Sequence, residues 1–232
     1  MKAANDPNIK MITRSFSILI LFLLLFVGGL GITDAQALDI SSGGTPTITG
    51  TVGGSVSGSS SVLNDLVVTI NFGEISPSNT NGIVKVTVPI GVRSNQQYKV
   101  TATYSGATNA NAQALQRSDV GFGLSNWRSM GANSRVCALP HTIYSPFSND
   151  PATTVTVNSA TGRAQYTSDL ADVTTTTTIL SGPRLSNGNN NRQTNDGYIF
   201  DAIFVVTPQF YATGVTSATI TFTISAGPNA PC

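Results

Sequence analysis

The only imidazole of the 232-residue chain belongs to His141, which stands between Pro140 and Thr142. Nucleophilic catalysis needs a nucleophile, a base and a group that orients the base. The first carboxylate after His141 is that of Asp150, and no Gly-x-Ser-x-Gly turn presents a serine. The sequence therefore predicts that His141 is a surface or locally hydrogen-bonded residue and that the chain is not an enzyme.

Carboxylates are too few and too scattered for acid–base or metal chemistry. Glycoside hydrolysis uses two carboxylates across a cleft, and zinc or calcium needs several ligands at suitable spacing. Glu74 is the only glutamate after residue 37, and Asp169 and Asp172 lie together in a polar turn. The Asn-rich tract 186–197 contains one acidic residue, Asp196. We expect no cofactor and no metal.

The N-terminal 37 residues have the layout of a signal peptide. Arg14 precedes an uninterrupted apolar stretch at 18–27, which is shorter than the about 20 residues that a membrane-spanning helix needs. Ala35, Gln36 and Ala37 then fit the small-x-small pattern of a cleavage site. The sequence predicts export to the bacterial periplasm, cell surface or medium, with membrane contact only through residues 1–37; the alternative is an uncleaved anchor.

Export changes the interpretation of the two cysteines, Cys137 and Cys232. Oxidising compartments favour pairing, so we expect a disulfide between them. In the chain-entropy model such a long loop stabilises the fold by about 4–5 kcal/mol. A reactive thiol and a bond to another chain remain the alternatives.

Charge excludes one class of partner. The chain carries 12 Lys and Arg against 11 Asp and Glu, and charged residues make up 10% of it. Nucleic-acid binding depends on a surplus of basic residues at phosphates. We therefore expect no nucleic-acid partner.

The chain after residue 37 has the pattern of short strands separated by polar turns. Ala218, Ile220 and Phe222 alternate with threonines, as in a strand with one buried face. Turn dipeptides such as Asn81-Gly82 separate such runs. The sequence predicts an all-β, antiparallel, immunoglobulin-like sandwich after the signal helix. The clearest predicted strands are 67–72, 83–88, 98–104, 153–157, 198–206 and 218–224.

Residues 38–61 form a Gly-, Ser- and Thr-rich extension before a predicted sandwich domain over 62–232. Within it Ile48, Val52 and Val56 occupy even positions, and hydroxylated residues fill most odd ones. Such a strand suits insertion beside an open sheet edge, where backbone bonds supply affinity and alternate side chains supply specificity. The alternative is a flexible linker.

Several short β-patterns of the chain are those of one family of proteins: Ile70-Asn71-Phe72-Gly73, Pro77, the runs 82–88 and 98–103, Ala212-Thr213-Gly214 and the run 217–225. In these residues the chain resembles the spore coat U and chaperone–usher pilin-like group of secreted bacterial proteins. The resemblance implies an immunoglobulin-like sandwich that lacks a strand until a neighbour donates one. It implies that residues 45–58 are the donor strand, that copies of the chain or related subunits are the partners, and that a periplasmic chaperone assists.

Two functions follow from these observations. The first is a secreted structural surface subunit that assembles by strand donation through Ile48, Val52 and Val56. The alternative is a secreted glycan- or protein-binding module without catalysis, in which Trp127, Tyr144 and the Asn-rich loops make the contacts. For Trp127, packing as an anchor of the core is the preferred interpretation and ligand contact is the alternative. The region 107–151 has weak periodicity, and we expect long loops and short strands there, with a helical turn near 110–117.

Overall fold

The computed structural model describes residues 38–62, 64–78, 82–129, 141–185 and 197–228, and it confirms an all-β fold of antiparallel sheets. About half of the chain is strand, and these described residues contain essentially no helix. The predicted signal peptide, 1–37, lies outside the described residues. The strands are β1 (Leu38–Ser42), β2 (Thr47–Thr49), β3 (Ser55–Val62), β4 (Asp65–Asn71), β5 (Val84–Ser94), β6 (Tyr98–Tyr104), β7 (Val120–Ser129), β8 (Thr142–Ile143), β9 (Thr156–Val157), β10 (Ala164–Gln165), β11 (Thr177–Gly182), β12 (Tyr198–Val206) and β13 (Ser217–Ala226), with one 3-10 helix at Arg117–Asp119.

Alternation of apolar and hydroxylated residues explains the strands that the sequence shows most clearly. In β13, Ala218, Ile220 and Phe222 are buried, whereas the intervening threonines are half-buried. β6 and β12 begin and end at the predicted residues. A period of two therefore identifies the buried face of a strand correctly in this chain.

The first sheet has β12 at its centre. Its order is β1-β5-β12-β7, and β2 also pairs with β5. β12 pairs with β5 from Tyr198↔Val92 to Val206↔Val84, and with β7 on its other side. Phe204 on one face and Val205 on the other are both fully buried. Burial on both faces explains why β12 is a nearly continuous apolar run.

The second sheet has the order β3-β4-β13-β6-β11-β8, and β9 and β10 form a separate two-stranded ladder. Buried residues of the two large sheets belong to one core cluster. Phe122 on β7 is central to it: the centroid of its ring lies 5.1 Å from that of Phe204 and 6.3 Å from that of Phe222 on β13. The apolar faces of both large sheets therefore share one interior.

A long connection between β7 and β11 covers part of the first sheet. The Leu124 amide donates to the Phe147 carbonyl (2.8 Å), and the Leu170 amide donates to the Val120 carbonyl (2.9 Å). The Lys85 ammonium forms an ion pair with Asp150 at 2.6 Å. These contacts satisfy the backbone along the first half of β7, which would otherwise be an exposed edge.

Three local expectations differ from the structure. Residues 107–151, expected to be loops and short strands, contain the ten-residue β7. Only the last two residues of the predicted strand 153–157 are strand, because the Asp150 carboxylate and carbonyl accept from Ala152 and Thr153 and close a turn. The helical turn expected at 110–117 is a 3-10 turn at Arg117–Asp119.

Candidate functional site

The predicted assembly segment, 45–58, lies against the sheets of its own chain. β2 runs antiparallel to β5, with Ile48 opposite Val86, and β3 runs antiparallel to β4, with Val56 opposite Ile70. β3 also crosses the boundary predicted between the extension and the sandwich domain. The segment thus occupies, within one chain, the position that a donated strand would take at each sheet.

The three predicted assembly residues differ in their surroundings. Ile48 and Val56 are partly buried and pack against the core cluster. Val52 is 56% exposed, at the turn between β2 and β3. Its carbonyl accepts from the Glu74 amide at 3.0 Å, and the neighbouring Thr51 hydroxyl donates to the Phe72 carbonyl at 2.6 Å. Two of the three side chains therefore face the interior, and the backbone rather than the side chain fixes Val52.

Aromatic side chains gather where β7 ends and β12 begins. The Trp127 ring stacks on Phe200, with centroids 4.9 Å apart, and on His141, with centroids 5.4 Å apart. His141 also meets Tyr198 at 4.5 Å and Tyr98 at 5.8 Å. Trp127 contributes to the packing of this aromatic cluster, as its interpretation as a core anchor requires.

A bulge places Trp127 in this cluster. The pairing of β7 with β12 shifts register beside Asn126, which has a φ of 55°. The side-chain amide of Asn126 and the Arg128 guanidinium both donate to the Asp201 carboxylate, at 2.7 and 2.9 Å. Bulges turn a side chain away from its regular face. The polar contacts at Asp201 hold the bulge that directs Trp127 inward.

His141 is suited to packing rather than to proton transfer at neutral pH. Burial lowers its pKa to about 4, so the ring is neutral. Its Nε2 atom is buried without a hydrogen-bond partner, as are the Tyr98 hydroxyl and the Trp127 Nε1 atom. Burial also raises the pKa of Tyr98 well above its ordinary value, and Tyr198 adds to this. These groups face one another through ring contacts instead of a proton relay.

Most carboxylates named so far have structural partners. Asp119, which is 1% exposed, binds Arg163 at 2.5 Å and accepts from the Gln116 amide at 2.7 Å. The Asp172 carboxylate accepts from the Asp169 amide at 3.0 Å. Burial raises the pKa of Asp169. These contacts explain the acidic residues as supports for turns and buried ion pairs.

The structure also shows a surface feature that the sequence did not single out. Phe210 is 83% exposed and lies on the connection between β12 and β13. It borders a groove of about 380 Å³ that Glu74, Gln209 and Val215 also line. The Gln209 side-chain amide donates to the Gly162 carbonyl and the Ala212 backbone amide donates to the Gln113 carbonyl, both at 2.9 Å. The loop is therefore anchored on both sides of the exposed ring.

The predicted glycan-contact residue Tyr144 is also partly exposed, at 36%. Its hydroxyl lies 3.4 Å from that of Ser181. Tyr144 is not among the described residues that line the groove at Phe210. The Asn-rich contact loop was predicted within 186–197, of which only Gly197 belongs to the described residues.

Cys137 and Cys232 lie outside the described residues, so their pairing stays a prediction. The described residues next to them in sequence converge on one place. His141 follows Cys137 by four positions and its ring contacts Tyr98. Gly227 precedes Cys232 by five positions, and its amide donates to the Gln97 carbonyl at 2.9 Å.

Within the described residues, no group of three or more His, Cys, Asp or Glu side chains is placed to hold a metal ion. None of the helical structure in the same part of the chain has the length and apolarity to cross a membrane. No protein-family model matches the chain, and no curated protein or solved structure matches it either. The likeness to spore coat U and pilin-like proteins accordingly stays a resemblance in short strand patterns.

Proposed function

We propose that the chain is a secreted, non-catalytic structural protein of the bacterial cell surface, built as an immunoglobulin-like β-sandwich. In this proposal copies of the chain assemble by exchanging the N-terminal segment that contains β1, β2 and β3. The first 37 residues act as the signal peptide, and a periplasmic chaperone covers the sheets before assembly. Exchange of an identical element between copies is a low-cost route to oligomers, because every contact of the element is reused.

One observation supports exchange above all others: residues 38–62 supply outer strands to both large sheets. β1 and β2 pair with β5, and β3 pairs with β4. Ile48 and Val56 add side-chain packing to this backbone pairing. A neighbouring copy offers the same strands and the same apolar sites, so the segment fits in trans as well as it fits in cis.

The connection after β3 suits such an exchange. Only Leu63 and Asn64 separate β3 from β4, and the next residue, Asp65, already pairs with Val62. Short hinge loops favour domain swapping, because an extended connection between two chains relieves a tight turn. In an exchanged assembly these two residues would form the crossover between copies.

Mixing two variants that each carry one introduced cysteine beside Cys137 and Cys232 tests the exchange. Thr47 on β2 lies directly opposite Thr87 on β5, and such antiparallel pairs have Cβ atoms about 4.5–5.5 Å apart, close enough for a disulfide. We expect a Thr47→Cys protein and an isotope-labelled Thr87→Cys protein, unfolded and refolded together, to form covalent heterodimers through the introduced cysteines. Mass spectrometry of the linked peptides identifies the bond.

Two controls make the result decisive. The double variant Thr47→Cys/Thr87→Cys, refolded at high dilution, should give an internal bond and no covalent dimer. The same mixture of single variants, combined after folding and oxidised at once, should give few heterodimers. If co-refolded single variants form no bond between the introduced cysteines, while the double variant closes internally, the segment does not exchange.

A second function, glycan binding without catalysis, has one specific observation in its favour: the exposed Phe210 ring beside the groove. Exposed aromatic rings stack on the apolar faces of sugars, and amide, hydroxyl and carboxylate groups orient the sugar hydroxyls. A glycan array with Phe210→Ala tests this function. Val157→Ala is the matched control, since Val157 is 66% exposed elsewhere. Binding lost only in Phe210→Ala supports a glycan site, and an array without hits removes it.

A further inference from the structure

The two large sheets together have four edges, and the structure treats them differently. The first sheet ends at β7 on one side and at β1 with β2 on the other. The second sheet ends at β3 and at β8. An exposed edge strand is a template for pairing with another chain, so folded proteins usually shorten, interrupt, charge or cover it.

Three of these edges have such protection. Backbone bonds from the connection after β7 cover the first half of that strand, including the bond from the Phe122 amide to the Ser168 carbonyl at 3.0 Å. β8 is only two residues long. The edge made by β1 and β2 is interrupted by a four-residue bend that contains Pro46. None of the three presents a long, continuous row of free backbone groups.

The fourth edge, β3, lacks these features. It has eight residues, and among the described strands it pairs only with β4. Its sequence, SVSGSSSV, contains no charged residue and no proline. Ser55, Ser57 and Ser59 are exposed on its outer face. The single irregularity of its pairing lies near its end, between Ser60 and Val62.

We propose that the outer edge of β3 pairs antiparallel with β3 of a second copy of this chain, which joins the two second sheets into one. A two-fold axis places any edge strand antiparallel to itself, so no other sequence is needed. The neutrality of β3 selects a copy as the partner, because two charged edges would repel each other at this distance. Most residues of β3 are serine or glycine, so few bulky side chains hinder the approach of the two β3 backbones.

This contact is independent of segment exchange. The outer edge of β3 is the same whether β3 belongs to the chain that supplies β4 or to a neighbour. Cross-strand pairs of small polar residues contribute little each, so we expect a weak, concentration-dependent dimer in solution. On a crowded surface, where copies are already held together, such a contact gains strength from the high effective concentration.

A pair of lysine variants separates the edge from the rest of the sheet. Ser57 on β3 and Thr69 on β4 are Cα partners, and both are exposed on the same face. Ser57→Lys and Thr69→Lys therefore add the same charge to the same face, but only the first alters the edge. In sedimentation equilibrium over a concentration series, we expect Ser57→Lys to raise the dimer dissociation constant about tenfold or more, because edge lysines oppose pairing. Thr69→Lys should match the unmodified protein.

The oxidised double variant Thr47→Cys/Thr87→Cys distinguishes this contact from exchange. Because its β2 is bonded to β5 of the same chain, it cannot exchange the segment, and edge pairing predicts that it still dimerises and still responds to Ser57→Lys. The proposal is overturned if this locked protein is monomeric at every concentration or if Ser57→Lys and Thr69→Lys weaken the dimer equally. The proposal is also overturned if the unmodified protein is strictly monomeric. This includes the case in which the β3 edge pairs with a strand of a different protein instead of a second copy. Equal thermal unfolding of both lysine variants shows that the fold is intact.

Discussion

β12 and the N-terminal segment 38–62 differ in how they are held in the sheets. β12 lies at the centre of the first sheet, pairs on both sides, and its last seven residues are all buried. The N-terminal segment contributes only outer strands; Ile40 is its one described apolar residue that is fully buried, and Ile48 and Val56 are half-buried. Apolar area removed from water is the main stabilising contribution to folding. β12 therefore carries much more of the stability per residue than the segment does.

The same difference distinguishes a strand that stays in its sheet from a segment that can exchange between copies. A strand buried on both faces leaves the sheet only when the domain unfolds. A Gly- and Ser-rich strand at an edge has a lower cost of opening, and such elements are the ones that open locally in native proteins. The position of the segment, whose strands pair with β5 and β4, fits a part that pairs within one chain or between two copies, whereas β12 fits the permanent centre of the first sheet.

The largest expected difference is between two truncations of apolar side chains. Phe204 is fully buried and its ring lies 5.1 Å from that of Phe122, so Phe204→Ala should lower the free energy of unfolding by about 3–5 kcal/mol. Val56→Ala should lower it by about 1 kcal/mol, because Val56 is only half-buried. Urea unfolding of both variants with equal m-values measures the two losses. Comparable losses would mean that the segment is as firmly held as β12.

Two glycine-to-alanine changes should have opposite signs. A Cβ at Gly123 on β7 would meet the Asn149 carbonyl oxygen and lie 3.1 Å from Pro151 Cδ, so Gly123→Ala should cost about 1–3 kcal/mol. A Cβ at Gly58 on β3 would lie 3.7 Å from Leu66 Cδ1, an ordinary contact. Gly58→Ala should stabilise by about 0.5–1 kcal/mol. Thermal unfolding measures both changes. A destabilised Gly58→Ala protein would show that β3 is packed too closely to accept a methyl group, which would contradict the view that the N-terminal segment is held more loosely than β12.

Stability should also depend on pH through the start of β12, where His141 packs on Tyr198. Burial lowers the pKa of His141 from 6.5 to about 4, so below pH 6.5 the unfolded chain binds a proton that the folded chain resists. The contribution of this residue to stability should fall as the pH drops from about 6.5 to about 4, and then level off. The raised pKa of Asp169 acts in the opposite direction.

Comparison with His141→Gln isolates the histidine, because the Asp169 contribution is common to both proteins. The difference in unfolding free energy between the two proteins, measured by urea titration at several pH values, should change across this window and stay constant above pH 7. Parallel curves from pH 4 to pH 7 would contradict a neutral, buried imidazole. As the pH falls, the protection factors for hydrogen exchange, which are corrected for the intrinsic exchange rate at each pH, should decrease near Tyr198 before they decrease in β3.

Much of the fold was predictable where local pattern and burial agree. The limits of β6 and β12 and the alternation in β13 follow from β-branched and aromatic residues at a period of two. β7 was not predicted because Gly121 and Gly123 interrupt its apolar pattern. Those glycines make room for Pro151 and Asn149, and such a contact over 25 or more residues leaves no local signal.

The site was predictable only in part, for a related reason. Period-two alternation in residues 45–58 indicated strands, and the structure has β2 and β3 there. The sheet that each of them joins depends on β5 and β4. These two strands offer an edge for pairing only when the rest of the domain is ordered. Phe210 was overlooked because an exposed aromatic residue has the same local pattern as a buried one.

By itself, the sequence determined that this chain forms strands, which faces of the strongest ones are apolar, and that charge contributes little to its surface. Local side-chain sterics and hydrophobicity are sufficient for these properties. The tertiary structure alone decided that the N-terminal strands lie against their own sheets, that Trp127 and His141 pack together, and that β3 pairs with only one described strand. These features depend on pairing between distant segments, because an edge is defined by the strand that is absent beside it.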